Sequence, residues 1–326
     1  MAGRPFSVNR GSGRFSAIID EAGKAVCKAV SSGRYRGYIN AMSDDRKTGT
    51  PKDSHYARLR RAHRRDDGER APTRPRAHEA PPPTPDGLVR LYGLHTVRAA
   101  LDNPARKIKR MLATKNALAR LGIEDGAALP FAVEIVEPRD IDRLVGGEAV
   151  HQGAMIEALA LKPKPLSALA GTPLVLVLDQ VTDPHNVGAV LRSGVAFGAG
   201  ALITTARHSP AETGVLAKAA SGALEHIDLI EVRNLAEALE SLHQAGFETI
   251  GLDSEGPAEL EATFRGGRIA LVLGAEGKGL RQKTRATVTA LARLDMPGAI
   301  RSLNVSNAAA VALYAARRHL ERRTPG

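Results

Sequence analysis

The sequence predicts an α/β protein: a mostly parallel sheet with helices on both faces, preceded by a smaller α/β unit and a basic N-terminal tail. Three observations predict it. From Leu174 onward, continuous apolar runs of strand length alternate with helical segments. A shorter series of the same kind runs from Leu88 to Lys162. Residues 1–87 carry charge and proline with few side chains to bury.

The tail comes first. Residues 43–87 cannot bury enough apolar surface to offset the entropy of ordering, so residues 1–87 are expected to be a disordered basic tail. Its "RLRRAHRR" run (Arg58 to Arg65) is a candidate nucleic-acid contact or simply a solvated charge run. The net charge of the 326-residue chain is +11, and it is unevenly placed. Residues 1–85 hold 18 Lys and Arg against 9 Asp and Glu, leaving the rest close to neutral. A polyanionic partner is therefore expected, chiefly on the strength of the tail. Met42, which opens "MSDDRKTGTPKD", is an alternative start to Met1.

Composition also excludes. The single cysteine, Cys27, rules out an internal disulfide framework and a cysteine-built zinc site, which suits a reducing, cytoplasmic setting. No metal is expected. No apolar run approaches the roughly 18–20 residues of a membrane span, so no membrane partner is expected. Aromatic residues make up 3% of the chain, too few for a surface that stacks many bases.

The first α/β unit is assigned to residues 88–162. "GLHTVRAALDN" has helical spacing and stops at Asn103-Pro104, and "KIKRMLAT" reads as a strand. "KNALARLG" is a helix ended by Gly122, "FAVEIVE" a strand, "PRDIDRLVGG" a helix opened by Pro138, and "GAMIEALAL" a strand. Residues 163–173 form a linker, and residues 174–326 form the second domain. There the strands are "LVLVLD", "ALITT", "HIDLIEV", "FETIGLD", "RIALVLG" and "ALARLDM", the last ending at Met296. A long helix, "SNAAAVALYAARRHLERR", closes the chain.

Ligands of such sheets bind outside the carboxyl ends of the strands. Three strand ends stand out. In "DQVTDPHNVGAVLRSG" Asp183-Pro184 opens a helix, and Asn186 and Arg192 follow on it. Taken alone, they read first as a capping Asn and a salt-bridged Arg. In "VLGAEGKGL" three glycines surround Glu276, with neither P-loop nor dinucleotide spacing. In "LDMPGAIRSLNVSN" the residues Ser302, Asn304, Ser306 and Asn307 lead into an Ala-rich helix. One helix cap needs one residue, not four polar ones in six.

These three segments resemble the motifs "DxVxDPxNxGAxxRSAxxxG", "LVxGxExxGL" and "PMxGxxxSLNVSxAxxxxLYE" of the SpoU (TrmH) RNA ribose 2′-O-methyltransferases. The resemblance spans Leu174 to Arg318. The unit before it looks like that family's L30-like RNA substrate-binding domain, a combination typical of members acting on guanosine in large-subunit rRNA. The resemblance implies a SPOUT-type trefoil-knotted sheet, S-adenosylmethionine as methyl donor, RNA as partner, and a homodimer with its site at the subunit boundary. By motif position it implies catalytic roles for Asn186, Arg192, Glu276 and Asn304. It implies cofactor contacts at Gly274, Leu294, Met296, Ser302, Leu303 and Ser306. Two departures stand out: "LDM" replaces the family's Ile-Pro-Met, and Gly194 replaces an alanine.

A ribose hydroxyl must be aligned with the methyl donor and lose its proton. Arg192 is an odd general base, because guanidinium stays charged in proteins. Gripping an RNA phosphate or stabilising the developing alkoxide suits it better. The proton acceptor stays open between a phosphate oxygen and Arg192. Three alternatives are a tRNA methyltransferase of the same family, a non-catalytic RNA-binding assembly factor, and a nucleotide-dependent oxidoreductase. The missing dinucleotide fingerprint argues against the last.

Overall fold

The computed structural model describes residues 15–19, 25–29, 82, 84–85, 87–124, 127–169, 171–207 and 210–323. Within residues 1–87 the regular structure described is one antiparallel pair, β1 (Phe15–Ile19) and β2 (Ala25–Ala29), which composition did not announce. Most of the expected disordered tail, including Arg58 to Arg65, lies outside the described residues. Residues 1–74 and 75–326 form separate units.

The smaller layer is a four-stranded sheet. It runs β3 (Leu88–Tyr92), α1 (Leu94–Asp102), β4 (Ile108–Ala113), α2 (Lys115–Leu121), β5 (Ala132–Ile135), α3 (Pro138–Val145) and β6 (Ala154–Leu159). The strand order is β3-β6-β4-β5, antiparallel except for the β4–β5 pair. Strand β3 was not expected: "LVRLY" is short, and its Arg90 breaks the apolar pattern. The structure explains that arginine. On the neighbouring strand Glu157 accepts from Arg90 Nε at 3.2 Å and from Arg110 Nε at 2.8 Å. Hydrogen bonding by Arg110, ahead of the smaller contribution from Arg90, holds the Glu157 carboxyl below the usual carboxylate range.

The larger layer starts with β7 (Leu174–Asp179), α4 (Pro184–Ala196), β8 (Ala201–Thr205), α5 (Gly214–Ala220), β9 (Asp228–Val232), α6 (Leu235–Gln244) and β10 (Glu248–Leu252). It continues with β11 (Ala258–Glu259), α7 (Leu260–Thr263), β12 (Ile269–Gly274), α8 (Gln282–Thr287), β13 (Ala290–Arg293) and α9 (Val305–Arg323). All pairings in its seven-stranded sheet are parallel, in the order β11-β13-β10-β12-β7-β8-β9. Strands β7 and β12 lie centrally and bury their apolar residues on both faces, which is why they read as unbroken apolar runs.

Helix α4 is packed on several sides, as its composition foretold. A Cβ on Gly188 would come within 2.5 Å of Ala219 Cβ and 2.7 Å of Leu216 O, so α5 approaches α4 to backbone contact there. On α9 the stripe Val305, Ala309, Ala312, Leu313 and Ala316 is buried, as its helical spacing requires. Strand β13 ends at Arg293 rather than at Met296, so Leu294 and Met296 belong to the following loop. The Asp-Met-Pro-Gly sequence after Leu294 turns the chain before the strand can extend.

The two layers meet at a buried ion cluster. Arg106, in the α1–β4 connection, has no exposed side-chain surface. It donates through Nη2 to Glu225 at 2.6 Å and through Nη1 to Glu212 at 2.7 Å and to Leu159 O at 2.9 Å. Asn103 Nδ2 donates to the other Glu225 oxygen at 2.6 Å, and Leu161 N to Glu212 at 2.8 Å. Removing one partner of a buried ion group leaves charge without solvent or counter-charge. Arg106→Ala is therefore expected to lower unfolding stability by about 3–5 kcal/mol. Urea denaturation checks this, and a loss below about 1 kcal/mol, typical of an exposed pair, would contradict it.

Candidate active site

Four strand ends build the site. Strand β7 ends in Asp179, which is wholly buried. A buried carboxylate needs partners for both oxygens. Asp179 Oδ2 accepts from Arg281 N at 3.0 Å, and Oδ1 accepts from Arg281 Nε at 2.6 Å. This ties the far end of the loop after β12 to the strand beside it. The loop itself folds back on Ala275 and Gly279, with Gly279 N donating to Ala275 O at 2.8 Å. Gly277 and Gly279 have φ of +75° and +62°, which glycine adopts without strain.

The glycine at 274 has a second job beside the cofactor contact expected of it. A Cβ there would overlap the backbone of Gly279 and lie 2.5 Å from Leu280 N. Its bareness lets the loop close on itself, besides bringing backbone to the neighbouring cavity.

Glu276 stands at the top of this loop and collects donors from the two others. Its Oε1 accepts from Asn186 Nδ2 at 3.1 Å, from Asn304 Nδ2 at 2.5 Å and from Val305 N at 3.3 Å. Asn304 Nδ2 also reaches Asn186 Oδ1 at 3.0 Å. The carboxylate thus faces the N-terminus of α9, where negative charge is favoured. Asn186 is not a cap, since Asp183 caps α4 by accepting from His185 N at 3.1 Å. Asn304 is one: its Oδ1 accepts from Ser306 N at 2.8 Å and from Ser306 Oγ at 2.6 Å.

Beside this network lies a cavity of about 280 Å³. Gly274, Leu294, Met296, Ser302 and Leu303 line it, five of the six positions expected to hold a cofactor. Ser306 does not line it; its hydroxyl steadies Asn304 instead. Leu252, Asp253 and Ser254, at the end of β10, complete the wall and were missed from sequence. Their signal was an Asp-Ser pair directly after an apolar strand. Asp253 is held by an ion pair with Arg285, and its Oδ1 accepts from Glu255 N at 2.9 Å.

Arg192 is brought into neither the network nor this cavity. It lies six positions after Asn186 on α4, which is roughly 9 Å along the axis and 120° around it. Arg192 is exposed, makes no hydrogen bond or ion pair among the described residues, and lines a second cavity against α1. The salt-bridge reading of this residue is therefore not realised within one chain. Among the described residues no group of three or more His, Cys, Asp or Glu could hold a metal ion. No helix there is long and apolar enough to cross a membrane.

A parallel sheet with a glycine-lined cavity outside its strand ends, capped by a carboxylate–amide network, defines an α/β protein that binds a small ligand at that edge. Within that class the chain belongs to the SpoU rRNA methylase family. Residues 173–314 match the SpoU rRNA Methylase family model, and residues 90–163 match one described as RNA 2'-O ribose methyltransferase substrate binding. The chain is 41% identical over 233 residues to the 23S rRNA (guanosine-2'-O-)-methyltransferase RlmB of Ralstonia nicotianae, covering 69% of this chain and 94% of that one. It is 38% identical over 239 residues to the protein of the same name from Pseudomonas putida, covering 70% and 96%. Among solved structures, a TrmH-family RNA methyltransferase of Porphyromonas gingivalis superposes with a TM-score of 0.59 at 25% identity, covering 72% of this chain and 90% of that one. An AdoMet-bound rRNA methyltransferase of Sinorhizobium meliloti gives 0.61 at 23% identity, covering 72% and 88%, a likeness of fold.

Gly274→Ala is expected to push the 275–279 loop off the strand end, lowering both the melting temperature and small-ligand affinity. Lys278→Ala, on the exposed face of the same loop, should change neither. Calorimetric titration with S-adenosylmethionine, alongside melting curves, distinguishes them, and equal behaviour of the two variants would contradict this account of the loop.

Proposed function

We propose that the protein transfers a methyl group from S-adenosylmethionine to the ribose 2′-hydroxyl of a guanosine in 23S rRNA, in the cytoplasm and as a homodimer. The carrying observation is the Asn186–Glu276–Asn304 network over the cavity, built from three separate strand ends. The residues present suit the donor: backbone at three glycines, apolar Leu294, Leu303 and Met296, and hydroxyls of Ser254 and Ser302. S-adenosylmethionine supplies an electrophilic methyl on its sulfonium sulfur. The chain positions the target and holds charge. Glu276 and the two asparagines fix the loops around the ribose. Arg192, permanently charged, grips a flanking phosphate and stabilises negative charge developing on the 2′-oxygen. Residues 88–162 act as an L30-like substrate-binding domain, joined by residues 163–173 to a knotted catalytic domain at 174–326.

Two observations support a dimer. Arg192 and the Glu276 network stand apart in one chain, and a second copy would unite them if both serve one site. Ile300, Leu303, Val311 and Tyr314 are also exposed, with Ile300 at 77%. Such apolar side chains, clustered on one loop and the helix after it, suit a subunit contact.

Four measurements test the reading. Calorimetry should show S-adenosylmethionine binding and no NAD binding. Mapping of 2′-O-methyl groups in 23S rRNA from cells lacking the protein should show one guanosine unmodified. Arg192→Ala should lose methylation by at least a hundredfold, the scale of a lost charge-stabilising group, with donor affinity and fold intact. Mixing Arg192→Ala with Glu276→Ala protein should restore activity that neither has alone, since a shared site pairs the intact residue of each. If the mixture stays inactive, the site is not shared between subunits.

A further inference from the structure

The cavity beside Arg192 has its own organisation. It measures about 340 Å³ and lies between the two layers. From α1 it receives His95, Arg98, Ala99 and Asp102, at spacings of three, four and seven that place them on one helix face. From α4 it receives Arg192, Val195 and Ala196, again a single stripe. Ser221, Gly222 and His226 close the end.

The polar groups around it are unspent. Among the described residues the side chains of His95, Arg98, Arg192 and His226 have no hydrogen-bond or ion-pair partner, and all four are exposed. Asp102 shares the cleft yet pairs with neither arginine. The rim thus offers two guanidiniums and two imidazoles against one carboxylate. Elsewhere in this fold, arginines such as Arg90, Arg106, Arg110 and Arg281 are bound to carboxylates.

The walls are held in place. A Cβ on Gly222, where φ is +92°, would come within 2.8 Å of Ala99 Cβ and 3.2 Å of His95 O, so α1 rests directly on that loop. Glu225, next to His226, is clamped by Arg106. Lys218, one turn before Ser221, donates to Gln152 Oε1 at 3.1 Å, and burial lowers its pKa. These contacts fix the backbone of the cleft's walls before any ligand arrives.

We propose that this interdomain cleft binds a backbone phosphate of the substrate RNA between Arg98 and Arg192, with His95 and His226 lining it. This deepens the reading of Arg192 given above and rests on it for the identity of the RNA. Arginine forks bind phosphate oxygens in pairs, and a phosphate held by both layers registers the RNA for the substrate-binding domain and the catalytic domain at once. Arg98 is then an RNA-binding residue, outside the chemistry of methyl transfer.

The test measures binding of a short RNA hairpin by fluorescence anisotropy at several salt concentrations, and methylation of 23S rRNA, for wild type, Arg98→Ala, Arg98→Lys and Arg139→Ala. Arg139 is an exposed arginine on α3 outside the cleft. Arg98→Ala should weaken RNA binding about tenfold, the scale of one charge-assisted contact. It should lower the slope of log affinity against log salt by roughly 0.7–0.9. KM for RNA should rise while kcat, S-adenosylmethionine affinity and melting temperature hold. Arg98→Lys should restore the slope but only part of the affinity, because lysine keeps the charge and loses the fork. Arg98→Ala behaving like Arg139→Ala overturns the proposal, as does a melting temperature that falls in Arg98→Ala and is not recovered by Arg98→Lys. Wild type that binds RNA with the cleft-dependent slope but methylates nothing would refute the methyltransferase reading and leave the phosphate site standing.

Discussion

The site depends on one buried charge. Asp179 ends the central strand β7 with no solvent to stabilise it. Arg281 satisfies both of its oxygens, one through the backbone and one through the guanidinium. The loop between Gly274 and Arg281 is therefore anchored at both ends to one point on the sheet, since Gly274 is the register partner of Asp179. A glycine-rich loop would otherwise sample many conformations. Pinned in this way, it presents Glu276 to Asn186 and Asn304 at one height above the strand ends.

The network that results uses each polar group more than once. Asn304 caps α9 through its carbonyl oxygen and binds Glu276 through its amide nitrogen. Capping and network formation are the same act for this residue. Ser306 adds a second donor to the same oxygen and so fixes the amide's orientation. An Asn with both ends committed presents a defined donor to its neighbours, which is what a preorganised site requires. Asn186, not needed as a cap because Asp183 serves, is committed wholly to the network.

The second constraint lies between the layers. Arg106, Glu212 and Glu225 replace solvent for one another inside the interface. Buried ion groups of this kind tend to add orientation rather than net stability. Here the orientation places the face of α1 that carries His95 and Arg98 opposite Arg192. A single chain thus has two polar centres, the Glu276 network at one end of α4 and the basic cleft along its side, and a second copy is what we propose unites them.

Much of this was legible in the chain itself. Apolar runs identified the central strands because parallel strands are buried on both faces. Strand–helix alternation identified the sheet, and three polar, glycine-bearing segments at strand ends identified Asn186, Glu276 and Asn304. Strand β3 was missed because Arg90 interrupts its pattern, and the partner that explains it, Glu157, lies 67 residues away. The Asp253–Ser254 wall was missed because Asp-Ser after a strand is an ordinary turn until the fold brings it beside Met296. Asp179 carried no role because its partner is 102 residues distant. The same reasoning applies to Arg192 in reverse: motif position grouped it with Asn186, and only the helix, which turns the two side chains onto different faces, separated them. Local composition and spacing determined which elements form and where polar groups cluster. Tertiary structure alone decided which of those groups meet, because buried charges select partners by distance in space and not by distance along the chain.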